Sequence, residues 1–190
     1  MIKKALAIFL LVALFGCAPK EQNAEAERPD LYFDIEQLLD EQQGLLADET
    51  LTLNKRVIIN GETESFEAVI ANEKEWKSQF QLFYAANINK FGLVDAYSKE
   101  TLAVGDGITK DIYTSKSAKN LVQVIECAYQ NESLTEVRVQ TKDNNIIYQV
   151  ENEYLLRFNQ GLLTSYTITA NESMILKKDM QMEMVAEIVH

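Results

Sequence analysis

The chain has 190 residues, with 18 Lys plus Arg against 29 Asp plus Glu and a formal net charge of −11; this is enough for one ordinary domain with its own core and too little for two large ones. An apolar share of 47% with 25% charged residues is the composition of a chain that folds, outside the range of disordered or collagen-like sequences. The acidic balance, with no run of Lys or Arg longer than two, removes the attraction to phosphate on which nonspecific nucleic-acid binding depends, so nucleic acid is excluded as a partner class.

Met1-Ile2-Lys3-Lys4 is followed by an apolar run from Ala5 to Phe15 and then by Gly16-Cys17. A charged start, a hydrophobic stretch and a small residue form the layout of a secretory signal over residues 1–16. The eleven apolar residues rise about 16 Å as a helix against a hydrocarbon core of ~30 Å, too short for a permanent span. Leu14-Phe15-Gly16-Cys17 resembles the lipobox of bacterial lipoproteins. That resemblance implies a diacylglyceryl group on the Cys17 thiol, cleavage before Cys17, and a mature chain with 16 basic against 29 acidic groups, a formal −13. Two or three acyl chains, each contributing about 0.8 kcal/mol per buried methylene, would make the membrane anchor permanent. Ala18 stands where an Asp would favour the inner membrane in such lipoproteins, so the expected location is the outer membrane, on its periplasmic or surface face. Residues 17–29 hold both prolines and no apolar periodicity; they read as the lipidated cysteine and a flexible tether spanning on the order of 20 Å. Residues 30–190 read as one domain.

In that domain, Ile35, Leu38, Leu39, Gln42, Leu45 and Leu46 recur at helical spacing behind Asp30 and Asp34, either of which can cap the helix. The period then changes to two. Leu51, Leu53, Val57 and Ile59 lead into Asn60-Gly61, and Phe66, Ala68 and Ile70 lead away. Asn-Gly tolerates the positive φ of a two-residue type I′ turn, and counting outward pairs Lys55 with Phe66, Leu53 with Ala68 and Leu51 with Ile70. Asn72 with Glu75 imitates a capping box and opens a helix expected to run to about Asn89, with Trp76, Phe80, Phe83, Tyr84 and Asn87 on one stripe that packs as core. Residues 90–109, with Gly92, Gly105 and Gly107, read as a long surface connection.

From Lys110 onward strands follow one another. Expected are strands over 111–115 and 121–129, a turn at Asn131-Glu132, a strand from Thr135 to Lys142, and a turn at 143–145. Ile146, Tyr148 and Val150 form the next strand before a break at Asn152-Glu153; Tyr154, Leu156 and Phe158 then lead to a turn at Gln160-Gly161. Leu162, Tyr166 and Ile168 follow, and Met180, Met182, Met184, Ala186 and Ile188 alternate with Gln181, Glu183, Val185, Glu187 and Val189 in the last strand. Helices early and strands late predict an α+β fold: an antiparallel curved β-sheet, a meander, covered by two helices.

The order of lipobox, short tether, helix, Asn-Gly hairpin and Trp-bearing helix is similar to an uncharacterised family of bacterial envelope lipoproteins. The residues that carry the resemblance are Tyr32-Phe33-Asp34, Asn60-Gly61, Trp76 and Ile88-Asn89-Lys90. It implies an architecture and supplies no activity.

The catalytic inventory is thin. The single histidine is His190, so Ser-His and Cys-His nucleophiles lack a base and a His- or Cys-based zinc site lacks ligands. Cys127, without a partner once Cys17 is lipidated, reads as a small buried core residue. Glu126, inside an apolar strand, is a candidate acid if buried and an ordinary carboxylate if that position is wet, which is the expectation. Gly105-Asp106-Gly107 lacks the flanks of a phosphate or calcium loop and reads as a turn. Phe158, Tyr166, Met180, Met182 and Met184 either line an apolar cleft, if the sheet curls without closing, or form core. The expected function is a non-catalytic, lipid-anchored outer-membrane lipoprotein that needs no metal or cofactor. It touches the membrane through Cys17 and binds another envelope component. The alternative is a carrier for a lipid or other apolar ligand, resembling in architecture the half-open barrels of lipoprotein-sorting factors.

Overall fold

The structure, a computed structural model, describes residues 29–189. The expected signal peptide, Cys17 and most of the tether, with His190, lie outside the described residues. Nine strands form one antiparallel sheet: β1 (Leu51–Ile59), β2 (Glu62–Ile70), β3 (Tyr97–Gly105), β4 (Ile108–Ser115), β5 (Val122–Gln130), β6 (Ser133–Asn144), β7 (Tyr148–Asn159), β8 (Leu162–Met174) and β9 (Met180–Val189). Their order is β2-β1-β9-β8-β7-β6-β5-β4-β3. Seven consecutive strands make the meander, and the β1–β2 hairpin closes onto β9. Both edges are open. Acids Glu62, Glu64 and Glu67 stud β2, and Lys99 and Glu100 stud β3, which protects each edge against pairing with another chain.

The first hairpin has the register its turn dictates: Leu51 faces Ile70, Leu53 faces Ala68 and Lys55 faces Phe66. Asn60 and Gly61 take φ of 51° and 89°, the left-handed conformations that such a turn requires and Asn-Gly supplies. Gln160 and Gly161 repeat the device between β7 and β8 with φ of 51° and 83°.

Helix α1 (Ile35–Leu46) is capped by Asp34, whose carboxylate accepts from the Gln37 amide at 3.0 Å. It buries Ile35, Leu39, Gln42, Gln43 and Leu46, while Leu45, expected on the buried stripe, is exposed. Helix α2 (Glu73–Phe80) has the expected cap: Asn72 Oδ1 accepts from the Glu75 amide at 3.1 Å, and Glu75 Oε2 reaches back to the Ala71 amide at 2.8 Å. This helix ends at Phe80 and does not continue to Asn89. Phe83–Ala86 form a 3-10 turn instead. Phe80, Phe83 and Ala86, all at 0% exposure, recur every three residues, the repeat of a 3-10 helix, so the tighter winding keeps all three on the core.

Two further expectations are corrected. Residues 90–109 are not a long connection, because β3 occupies 97–105 and Gly105-Asp106-Gly107 is the turn into β4. Strand β7 also runs through Asn152-Glu153 unbroken. Asn152 Nδ2 donates to Thr141 Oγ1 at 3.2 Å on one face, and Glu153 accepts from Arg138 and Gln140 on the other, so neighbouring strands satisfy both polar side chains.

The two helices, the 3-10 turns and the strap at 29–34 lie on one face of the sheet and cover part of it, so the fold is α+β with most of its mass in the sheet. A row of paired residues on the helix side runs Lys55, Ala186, Tyr166, Leu156, Val137, Cys127 and Asp111. The next runs Val57, Met184, Ile168, Tyr154, Val139, Ile125 and Tyr113. Trp76, Phe80 and Phe83 drop onto these rows, with Phe83 meeting Tyr154 and Tyr166 edge-on at 5.4 Å.

Candidate functional site

The helix-covered face is packed. Phe158 and Tyr166 are 7% and 1% exposed and belong to the core, and burial raises the Tyr166 hydroxyl well above its ordinary pKa. Met182 and Met184 are half-buried against the same core, and Met180, near the end of the sheet, is half-buried among polar neighbours that include Asn171 and Gln149. The five residues expected to line a cleft thus divide into core, core margin and polar rim. At one margin, Lys55 is half-buried: its Nζ donates to Gln79 Oε1 at 2.5 Å and lies 5.9 Å from the Tyr166 ring, and burial lowers its pKa.

Among the described residues, the other face carries no helix. Strand parity places Arg56, Val185, Thr167, Leu155, Arg138, Glu126 and Ile112 in one row across it. An ion network occupies its centre. Arg138 reaches Glu153 at 2.9 Å and Glu136 at 3.3 Å, Arg157 reaches Glu136 at 3.5 Å, and Lys142 reaches Glu151 at 2.7 Å. Each pair is partly solvated and contributes about 0–1 kcal/mol to stability. Their larger consequence is a mosaic of held charges around Leu155, which is only 7% exposed although it points away from the main core. Two open hollows lie on the same face. One, about 380 Å³, is lined by Asn54, Lys55, Arg56, Ser65, Glu67 and Glu187 with Phe66 and Val185. The other, about 340 Å³, is lined by Gln140, Lys142, Glu151, Glu153, Thr169 and Asn171 among others.

Glu126 belongs to this face and pairs with Lys110 at 3.6 Å with its side chain 31% exposed, so it is a wet carboxylate and not a buried acid. Cys127, one residue on, points into the core at 0% exposure, and burial pushes its thiol up to about 12. Among the described residues no group of three His, Cys, Asp or Glu side chains is placed to hold a metal ion, and no helix is long and apolar enough to cross a membrane. The surface offers hydrogen bonds and paired charges across a broad sheet. The individual polar residues were visible in the sequence as the wet half of each alternating strand, but their assembly into one face depends on a strand order that alternation does not encode. No protein-family model and no curated protein matches the chain.

Proposed function

We propose that the protein is a non-catalytic lipoprotein of the bacterial outer membrane, anchored through acylated Cys17, that binds a polar envelope component on the helix-free face of its sheet. The observation that carries this reading is the division of the sheet: the helices fill one face with aromatic and aliphatic side chains, and the face left open bears both hollows and the Arg138–Glu136–Glu153 network. Polar linings and held, interleaved charges suit a protein or another polar polymer, since a partner can exchange hydration for hydrogen bonds without filling a deep pocket. They do not suit the alternative, a carrier, which needs an apolar cavity of several hundred Å³.

The anchor is tested by Cys17→Ala. The variant is expected to leave the membrane fraction, and full retention there would contradict the anchor. Native mass spectrometry of the fragment Ala18–His190, purified gently from its own envelope and compared with the denatured sample, tests the rest. A bare mass supports the binding reading, and a stoichiometric apolar ligand released on denaturation would replace it with the carrier.

A further inference from the structure

The two least protected apolar side chains in the described residues, Leu176 and Ile146, sit on neighbouring turns, each beside a second exposed isoleucine, while Val69 at 66% and Phe91 at 62% lie elsewhere. Leu176 is 101% exposed and Ile146 93%, with Ile147 at 60% and Ile175 at 59%. The β6–β7 and β8–β9 turns that carry them are tied by a hydrogen bond from the Ile175 amide to the Ile147 carbonyl at 2.9 Å. Both are built to hold their shape. Asn145 Oδ1 accepts from the amides of Ile147 at 2.7 Å and Tyr148 at 3.0 Å, and the Lys177 amide closes onto the Met174 carbonyl at 3.1 Å. Leu176 sits at φ 69°, a left-handed conformation uncommon for a bulky side chain. A turn needing that conformation alone would be served by Gly or Asn; here a leucine occupies it and projects fully into solvent.

The topology gives these tips their surroundings. The starts of β3, β5, β7 and β9 and the ends of β4, β6 and β8 meet at one end of the sheet. The β4–β5 connection there brings Lys116, Lys119 and the exposed Leu121, and Lys177-Lys178 follow Leu176 directly. The N-terminal strap docks at this same end: Asn89 Oδ1 accepts from the amides of Leu31 and Tyr32, and the Tyr32 hydroxyl donates to the Leu93 carbonyl and accepts from the Tyr97 amide. The first described residues therefore lie at the end that carries the tips. The same end also carries acids, with Asp143 and Asp179 beside the two turns and Glu62 after the adjoining β1–β2 turn, so the basic character is local to Lys177-Lys178 and the β4–β5 connection; residues 34–49, which run to the far end where Gln42 meets the β7–β8 turn, hold six acids and no Lys or Arg. Apolar side chains beside lysines, at the end where the first described residues dock, match the interface of a phospholipid bilayer, where apolar groups enter the acyl boundary and lysines remain at the headgroups.

We propose that Ile146, Ile147, Ile175 and Leu176, with Lys177 and Lys178, form a second, non-covalent contact with the bilayer that sets the orientation of the domain on it. The inference builds on the anchored reading but is tested without the anchor. The fragment Ala18–His190 retains every residue of the described fold and lacks Cys17. Flotation with vesicles of phosphatidylethanolamine and phosphatidylglycerol at about three to one is expected to carry the fragment. Ile146→Ser with Leu176→Ser is expected to weaken partitioning by at least about tenfold with an unchanged melting temperature. Lys177→Glu with Lys178→Glu is expected to weaken it on these vesicles and not on pure phosphatidylcholine. Absence of partitioning by the parent fragment, or equal partitioning by the serine variant, would overturn the proposal. It would also fall if the serine variant changed the sedimentation coefficient in vesicle-free buffer, because the tips would then join two copies of the chain. Failure here leaves Cys17 acylation standing, and failure of acylation leaves this result standing.

Discussion

Gln42 and Leu163 meet across 121 positions of sequence: Gln42 Oε1 accepts from the Leu163 amide at 2.8 Å while its Nε2 donates to the Gly161 carbonyl at 2.9 Å. One side chain, 3% exposed, thereby satisfies a carbonyl of the β7–β8 turn and an amide at the start of β8, and fixes α1 to that end of the sheet. Gln42→Leu keeps the size and removes both partners. Its expected cost is about 2–4 kcal/mol, read from chemical denaturation, because an amide and a carbonyl lose their partners beside the core.

Asn89 performs the corresponding task at the other end, with Oδ1 accepting from two strap amides and Nδ2 donating to the Tyr32 carbonyl at 3.0 Å. Asn89→Ala is expected to loosen residues 29–33 before it unfolds the sheet. Limited proteolysis should show faster cleavage near the strap while the melting temperature falls by only a few degrees, about 1–2 kcal/mol.

How much of this was legible depends on whether local chemistry or strand order decides the feature. The hairpin register around Asn60-Gly61, the Asn72 cap and the alternation of β9 all follow from residues within a few positions of one another, and each stands in the structure as the residues predict. Strand β3 was missed because only Tyr97 in it is buried: an edge strand with two wet faces has no hydrophobic alternation to read. The break expected at Asn152-Glu153 failed for the opposite reason, since Thr141, Arg138 and Gln140 on the neighbouring strand satisfy residues that look like a turn in isolation. The open face was recoverable as a list of wet positions but not as a surface, and the tips at Ile146 and Leu176 looked like ordinary strand or loop hydrophobes.

Asp111 and Lys99 give the fold a pH signature. Burial pushes the Asp111 carboxyl up, but Lys99 at 2.7 Å and the Thr101 hydroxyl at 2.5 Å more than offset it, so the group titrates below its ordinary 3.8. A depressed carboxylate contributes stability that is full above its unfolded pKa and lost as pH falls through the folded one. Lys99 is raised above 10.5, chiefly by its hydrogen bond to Asp111, and contributes below that value, a contribution lost as pH rises through the folded one. Asp111→Asn is expected to flatten the acid limb of the stability profile below about pH 4, and denaturation midpoints across that range would show it.

Cys127 should be chemically silent in the folded protein. With its thiol at 0% exposure and pushed up to about 12 from 9.0, alkylation at mildly basic pH must wait for opening of the core. Labelling is expected to be slower than in denaturant by at least about a thousandfold. Because the unfolded thiol ionises first, the group also lowers stability as pH rises above 9.0.

Acylation of Cys17 is tested most directly by the mass of the N-terminal peptide of the protein isolated from its own membranes. The expected peptide begins at Cys17, lacks residues 1–16 and carries two or three acyl chains. A peptide with a free Cys17 thiol, or one that begins at another residue, would contradict that acylation.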